Sequence, residues 1–288
     1  EWGYENFQSW IHSGFDNYLM TPNGLVHRLL TRIALEKLFH PFQPFMLGQK
    51  SIAPKIASMM NIPLIFYGEH SAEYGNPIIE TKSKKVDTEY FSQSTEETFI
   101  SGVPIKKLIT DYGLSLNDLE PYQSLNPEIL EEKNINFQYL GYYIPWHPQT
   151  AYYYSVENGN FKAAPERTAG TYSKYNSIDD KIDDFHFYTY FIKFGLGRAS
   201  YDASQEIRNG DITRDEGINL VQKYDGEFPS RFSDEIFEYL SIDRKQFPIA
   251  YKKFEQELMT KEYFLYLADK FRSPHLWKEV NGKWELRN

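Results

Sequence analysis

Cysteine is absent from the 288 residues, which excludes disulfides, thiolate metal ligands and a cysteine nucleophile within this chain. A chain held together without disulfides suits a cytoplasmic setting. Long apolar runs are missing too: none approaches the ~20 residues that a membrane helix needs, and the first residues lack the basic and apolar regions of a signal peptide. Cations are in deficit, with 31 Lys plus Arg against 40 Asp plus Glu and a formal net charge of −9. Neither a nucleic-acid backbone nor an anionic membrane surface is therefore expected as a general partner, and any anion site must be local. The chain has neither an internal repeat nor a low-complexity tract.

What the sequence has in quantity is aromatic side chains, 17% of the residues, with 23 Tyr and 21 Phe. Such rings fill a core or stack on sugar and base faces, the phenol making Tyr the more ambiguous of the two. At 34.0 kDa the chain can bury a sizeable core in one large domain or two packed ones. Apolar positions from Leu25 to Phe39 follow helical spacing after the turn-prone Thr21-Pro22-Asn23-Gly24. A second helix is expected over residues 51–60, followed by Ile62-Pro63-Leu64-Ile65-Phe66-Tyr67, an apolar run that fits a buried parallel strand. Helix, strand and then the polar segment 68–76 is the order in which an α/β sheet places ligands, beyond the carboxyl ends of its strands.

Residues 80–98 are polar, of mixed charge and without period, and read as a loop or insertion. Short helices are predicted near 104–111 and 126–133, and a strand over 136–144. From Asp183 the pattern turns helical. One helix closes at Gly195, a second at Gly210, and Thr213-x-x-Glu216 is a capping box opening a third that runs to Tyr224. Residues 233–240 and 243–267 continue the helical pattern, and Asn281-Gly282 between apolar residues marks a terminal hairpin.

Chemistry-bearing residues concentrate in Lys193-Phe194-Gly195-Leu196-Gly197-Arg198. Two readings stand. Either the turn brings backbone amides up to an anion, with Lys193, Arg198, Arg208 and Arg214 as countercharge, or Gly195 is the residue closing the helix before it and the arginines are a solvated face. At the end of the predicted strand, Glu69, His70 and Glu73 are of the types that orient a hydroxyl, bind magnesium or move a proton. Lys50, read as lying near a helix N-terminus, is either a phosphate or carboxylate contact or a surface lysine. His12, Asp16 and His27 match no zinc spacing. The run Asp179-Asp180-x-x-Asp183-Asp184-x-His186 reads as carboxylates balancing a helix macrodipole.

Phe191 to Ala199, Glu206 to Gly210, Thr213 to Glu216 and Tyr224-Asp225-Gly226 resemble the C-terminal signature of the bacterial N-acetyl sugar amidotransferases. Upstream, Trp10 to Asn17, Thr21 to Gly24, His27 to Arg32, His40 to Phe45, Gly48-Gln49-Lys50, Ile62 to Glu69 and Glu73 to Asn76 resemble the branch of that family associated with pseudaminic acid biosynthesis. The resemblance implies a Rossmann-like, adenine-nucleotide α-hydrolase-like parallel sheet domain, represented in part by residues 1–160, and a mainly helical substrate region over 161–288. It implies an ATP-dependent, AMP-forming conversion of an acetamido group to an acetamidino group. The sugar is expected to be of nonulosonic type, for lipopolysaccharide or flagellin glycans, with Mg2+ beside ATP and ammonia supplied by a glutaminase partner. Glu69, His70 and Glu73 are then the catalytic candidates, and Lys50, Lys193, Gly195, Gly197, Arg198 and Arg208 the substrate-binding ones.

The zinc ribbon and the Ser-Gly-Gly-x-Asp-Ser phosphate loop with which such proteins usually begin have no counterpart here, since the sequence holds neither cysteine nor a Gly-Gly pair. The chain is read as a portion of the enzyme, and on its own it is expected not to hydrolyse ATP. Two rival classes remain: a non-catalytic sugar-binding or partner-docking portion, and another carbohydrate enzyme such as a glycosidase, which needs a matched carboxylate pair.

Overall fold

The computed structural model describes residues 2–68 and 98–287. Twelve helices and six short strands occur among them, a mixed α/β arrangement dominated by helix. In chain order the first part contains α1 (Trp2–Ile11), α2 (Gly24–Leu38), α3 (Gln43–Met60), β1 (Leu64–Tyr67), β2 (Phe99–Ile100), β3 (Val103–Pro104), α4 (Ile105–Tyr112), α5 (Leu116–Leu119), α6 (Pro127–Glu132), β4 (Asn136–Tyr139) and α7 (Pro148–Gly159). The remainder contains α8 (Asp183–Phe194), α9 (Arg198–Asn209), α10 (Arg214–Tyr224), α11 (Ser233–Leu240), α12 (Lys261–Phe271), β5 (Trp277–Val280) and β6 (Lys283–Leu286).

Helix α2 organises the interior. Asn23 caps its N-terminus by accepting from the amides of Leu25 and Val26, and the apolar residues spaced along it then reach two separate cores. Val26, Leu29, Leu30 and Ile33 pack with α4, α5 and Ile242, Phe247 and Ala250. Leu35 and Phe39 pack instead with Phe185, Phe237, Tyr263 and Phe264. Both cores therefore join residues before 160 to residues after it. Arg32 is fully buried in this helix. Its guanidinium donates to the carbonyls of Leu240 (2.8 Å) and Gln256 (2.5 Å) and to Glu36 (2.7 Å), which satisfies a charge that would otherwise be costly to bury.

β1 and β4 form a parallel pair with Leu64 opposite Asn136, as a βαβ-like connection requires. Only Ile65 of β1 is buried, against Ala57, Leu130, Ile135 and Phe137. Leu64 and Phe66 point outward at 41% and 48% exposure, so β1 is half-covered where the apolar run suggested full burial. Among the described residues the sheets are each two-stranded.

Several expected elements differ in extent. α3 begins at Gln43, eight residues before the expected start, with Pro44 in its first turn. The strand expected over 136–144 ends at Tyr139 and passes into a 3-10 turn at Leu140–Tyr142. No helix spans 243–267. Pro248 cannot continue a helical ladder, the chain makes a 3-10 turn at Ala250–Lys253, and the Thr260 side chain caps a fresh start at α12.

Candidate functional site

Gly195 adopts φ 73° and its amide returns to the Phe191 carbonyl at 2.8 Å, which makes it the left-handed residue that ends α8. Gly197 precedes α9, and the anion meeting the exposed amides of that helix is internal. Asp225, just after α10, accepts from the Gly197 amide (3.0 Å), the Ser200 amide (3.1 Å) and the Ser200 hydroxyl. A β-carbon on Gly197 would lie 2.7 Å from Asp225 Oδ1, so the close approach requires glycine. The turn thus binds a carboxylate as its spacing suggested, and the carboxylate belongs to the chain.

The cations of this region are dispersed. Lys193 donates to the Leu38 carbonyl at 2.9 Å, closing the C-terminus of α2, and burial lowers its pKa. Arg198 is 14% exposed, pairs with Asp202 at 3.2 Å one turn on, and lies 4.5 Å from the centroid of the Phe187 ring. Arg208 is exposed at the far end of α9, about 15 Å away along the axis at 1.5 Å per residue. Lys50 lies two turns inside α3 rather than at its N-terminus, and its carbonyl accepts from the Tyr67 hydroxyl at the end of β1. Glu69, His70 and Glu73 lie outside the described residues, as does all but the last residue of the polar stretch 80–98.

One face of α9 carries a buried polar network. Asp202 accepts from Thr171 Oγ1 (2.5 Å) and Asn176 Nδ2 (3.2 Å), and Glu206 from the Tyr172 hydroxyl (2.7 Å). These bonds fold the segment 161–182 back over the helix. Arg167 adds a bidentate pair with Glu227 at 2.6 and 2.7 Å, while the Gly170 amide donates to the same carboxylate at 2.9 Å. With that segment fixed, the carboxylates before α8 are carried inward.

The result is a cavity of about 320 Å3, bordered by Thr168, Asp179, Asp180, Asp184 and Arg231 together with Trp2 from α1. Burial pushes the Asp184 carboxyl up to about 7, the neighbouring Asp183 adding to the shift and Arg231 opposing it. Asp183, which accepts a hydrogen bond from Ser177, is raised by burial to about 6 against the pull of Arg198. Burial raises Asp180 as well. The two first-turn carboxylates do sit at a positive helix end, yet burial and mutual repulsion outweigh the macrodipole there. Nearby, His40 and His186 stack at 4.8 Å, and burial depresses them to about 4 and about 3, so both rings are neutral at pH 7.

A carboxyl held near pH 7 at the wall of a cavity can take or give a proton under physiological conditions, while Arg231 offers a fixed cation beside it. Sequence reasoning missed that these residues border one cavity because Asp184 and Arg231 are 47 positions apart. The signal present was the repeated Asp-Asp spacing. Among the described residues no group of three or more His, Asp or Glu side chains is arranged to hold a metal ion. His12 lines a surface cavity, and His27 pairs through Nδ1 with the Tyr122 hydroxyl at 3.0 Å.

Residues 169–288 match a family model described as the C-terminal domain of WbpG-like LPS biosynthesis proteins. The matched region contains α8 to β6, the Asp225-closed turn, Asp179 to Asp184 and Arg231, and it is similar to a domain associated with lipopolysaccharide biosynthesis. No curated protein matches the chain. No helix among the described residues is long and apolar enough to cross a membrane.

Proposed function

We propose that this chain forms the acceptor side of an ATP-dependent N-acetyl sugar amidotransferase, acting in the cytoplasm on an acetamido sugar destined for lipopolysaccharide or flagellin glycans. The observation that carries the reading is that the segment similar to WbpG-like biosynthetic proteins, 169–288, supplies the carboxylates and the arginine of the acidic cavity, including its neutral-pH carboxyl. The motif resemblance upstream adds the nonulosonic, pseudaminic-type acceptor, a glutaminase partner supplying ammonia, and a Rossmann-like nucleotide-binding part. The glycine-rich turn is not assigned as a cradle for ATP and Mg2+, because its amides are engaged by Asp225. Their contribution is on the acceptor. Asp184 exchanges a proton with the attacking nitrogen or a sugar hydroxyl, and Arg231 meets a carboxylate or polarised oxygen.

The test uses the complete reading frame with ATP, ammonium and an acetamido sugar. Replacing the amide oxygen by NH should lower the sugar's mass by about one unit, the outcome of substitution at an activated acyl group. Glutamine should serve only after a glutaminase is added. Absence of any mass change with ammonium, or amidine formation from glutamine by the single purified chain, overturns the reading.

A further inference from the structure

A second, larger cavity of about 760 Å3 lies between α1, the end of α7 and the segment 175–179. That volume falls within the roughly 300–1,000 Å3 of small-molecule sites. Its position depends on close packing. Gly3 of α1 approaches the Asp179 backbone so tightly that a β-carbon would sit 2.6 Å from Asp179 Cα. Asn6 ties the same helix to residue 162, donating to the Lys162 carbonyl at 3.0 Å and accepting from its amide at 2.8 Å.

The lining is aromatic and amide-rich. Phe7, Trp10, Phe15, Tyr154, Phe161 and Tyr175 present rings, and Asn158 and several serines offer uncharged hydrogen-bonding groups. Trp10, Phe15 and Tyr154 are 65%, 72% and 67% exposed, an unusual concentration of large rings facing solvent. Asp179 is the one charged side chain among the described lining residues. No lysine or arginine stands among the described lining residues to meet a phosphate, which disfavours nucleotides and sugar phosphates; a sugar carboxylate would be met from the adjoining cavity, which Arg231 borders. Flat rings interleaved with amides and hydroxyls suit a neutral ligand that has one apolar face and a rim of hydroxyls.

We propose that this cavity is a binding cleft for a neutral saccharide, with the sugar ring stacked on Trp10 and Tyr154. Ser177, Ile178 and Asp179 border both this cleft and the acidic cavity. A saccharide held on the rings therefore extends toward Asp184. The assignment of an acetamido sugar as occupant rests on the function proposed above; the neutral saccharide class rests on the lining alone.

Saturation-transfer NMR and calorimetry on the 288-residue chain, with N-acetylglucosamine, its β1,4-linked disaccharide and AMP as probes, test the cleft. Trp10→Ala and Tyr154→Ala should each weaken saccharide binding about tenfold or more, a scale typical of removing a stacked aromatic anchor, with an unchanged melting temperature. Trp10→Phe should restore most of the affinity. Equal binding by the alanine variants, no saccharide binding up to roughly 50 mM, far weaker than the millimolar range of feeble ligands, or AMP as the preferred ligand overturns the proposal. Saccharide binding in a complete enzyme that forms no amidine would sustain the cleft and sink the amidotransfer reading. Amidine formation with KM unaltered by Trp10→Ala and Tyr154→Ala would sink the cleft alone.

Discussion

Two carboxylates on neighbouring elements have opposite fates. Asp225 accepts from two helix amides and a hydroxyl, so every demand of its charge is met by the fold. Asp184 borders a cavity, crowded by Asp183, with burial raising its pKa. A carboxylate saturated by backbone donors stabilises the fold. One that is buried without such donors costs stability and retains proton chemistry. The conspicuous glycine-arginine motif belongs to the first kind, and the acidic run that read as helix-dipole compensation belongs to the second.

Replacing Asp225 by Ala should break the comparison most severely, since it strips an acceptor from three donors at once. A loss of about 3 kcal/mol in urea unfolding is expected, from a missing helix cap together with unpaired buried groups. Arg198→Ala should cost about 2 kcal/mol, because it leaves buried Asp202 without its cation. A substrate-binding role for Arg198 alone would imply a kinetic effect; the side chain's burial makes stability the first readout.

Asp184→Asn should sharpen the comparison by reversing the sign. A carboxyl whose pKa is raised on folding binds more protons in the native state. Its contribution is therefore greatest below pH about 4 and is lost as the pH climbs through about 7. The wild-type protein should lose stability across that window, with Asp183 contributing up to about 6. The asparagine variant should show a flatter profile and about 1–2 kcal/mol more stability at pH 7.5, while losing amidine formation in the complete enzyme. Denaturant titrations at pH 4.5, 6 and 7.5 read this directly. The smallest change is expected for Arg208→Ala, whose exposed side chain at a helix C-terminus should contribute about 0.5 kcal/mol or less.

Local signals carried the helical half of the molecule. Gly195 and Gly210 end their helices where the left-handed conformation demands glycine, and Thr213 with Glu216 forms the reciprocal cap its spacing implied. Helix α7 escaped notice because Tyr152, Tyr153 and Tyr154 favour strands and no clear apolar stripe accompanies them. Its start is set instead by Pro148 in the first turn and by the His147 ring accepting from the Thr150 amide. The acidic cavity was legible only in part. The Asp-Asp repeat shows in the sequence, but its burial depends on Thr171 and Tyr172 drawing the segment that carries it over α9, and on Arg167 tying that segment to Glu227 after α10.

The buried guanidinium of Arg32 sets a constraint on timing. Its carbonyl partners at Leu240 and Gln256 lie 208 and 224 positions further along the chain. As the polypeptide leaves the ribosome, α2 precedes these carbonyls by more than two hundred residues, and until they emerge its cation has only Glu36, one turn on, as a partner. Contacts this remote close slowly, since chain entropy is lost before they form. The native seating of α2 is thus a late event in folding, and a chain ending near residue 160 would hold that helix with its charge still in water.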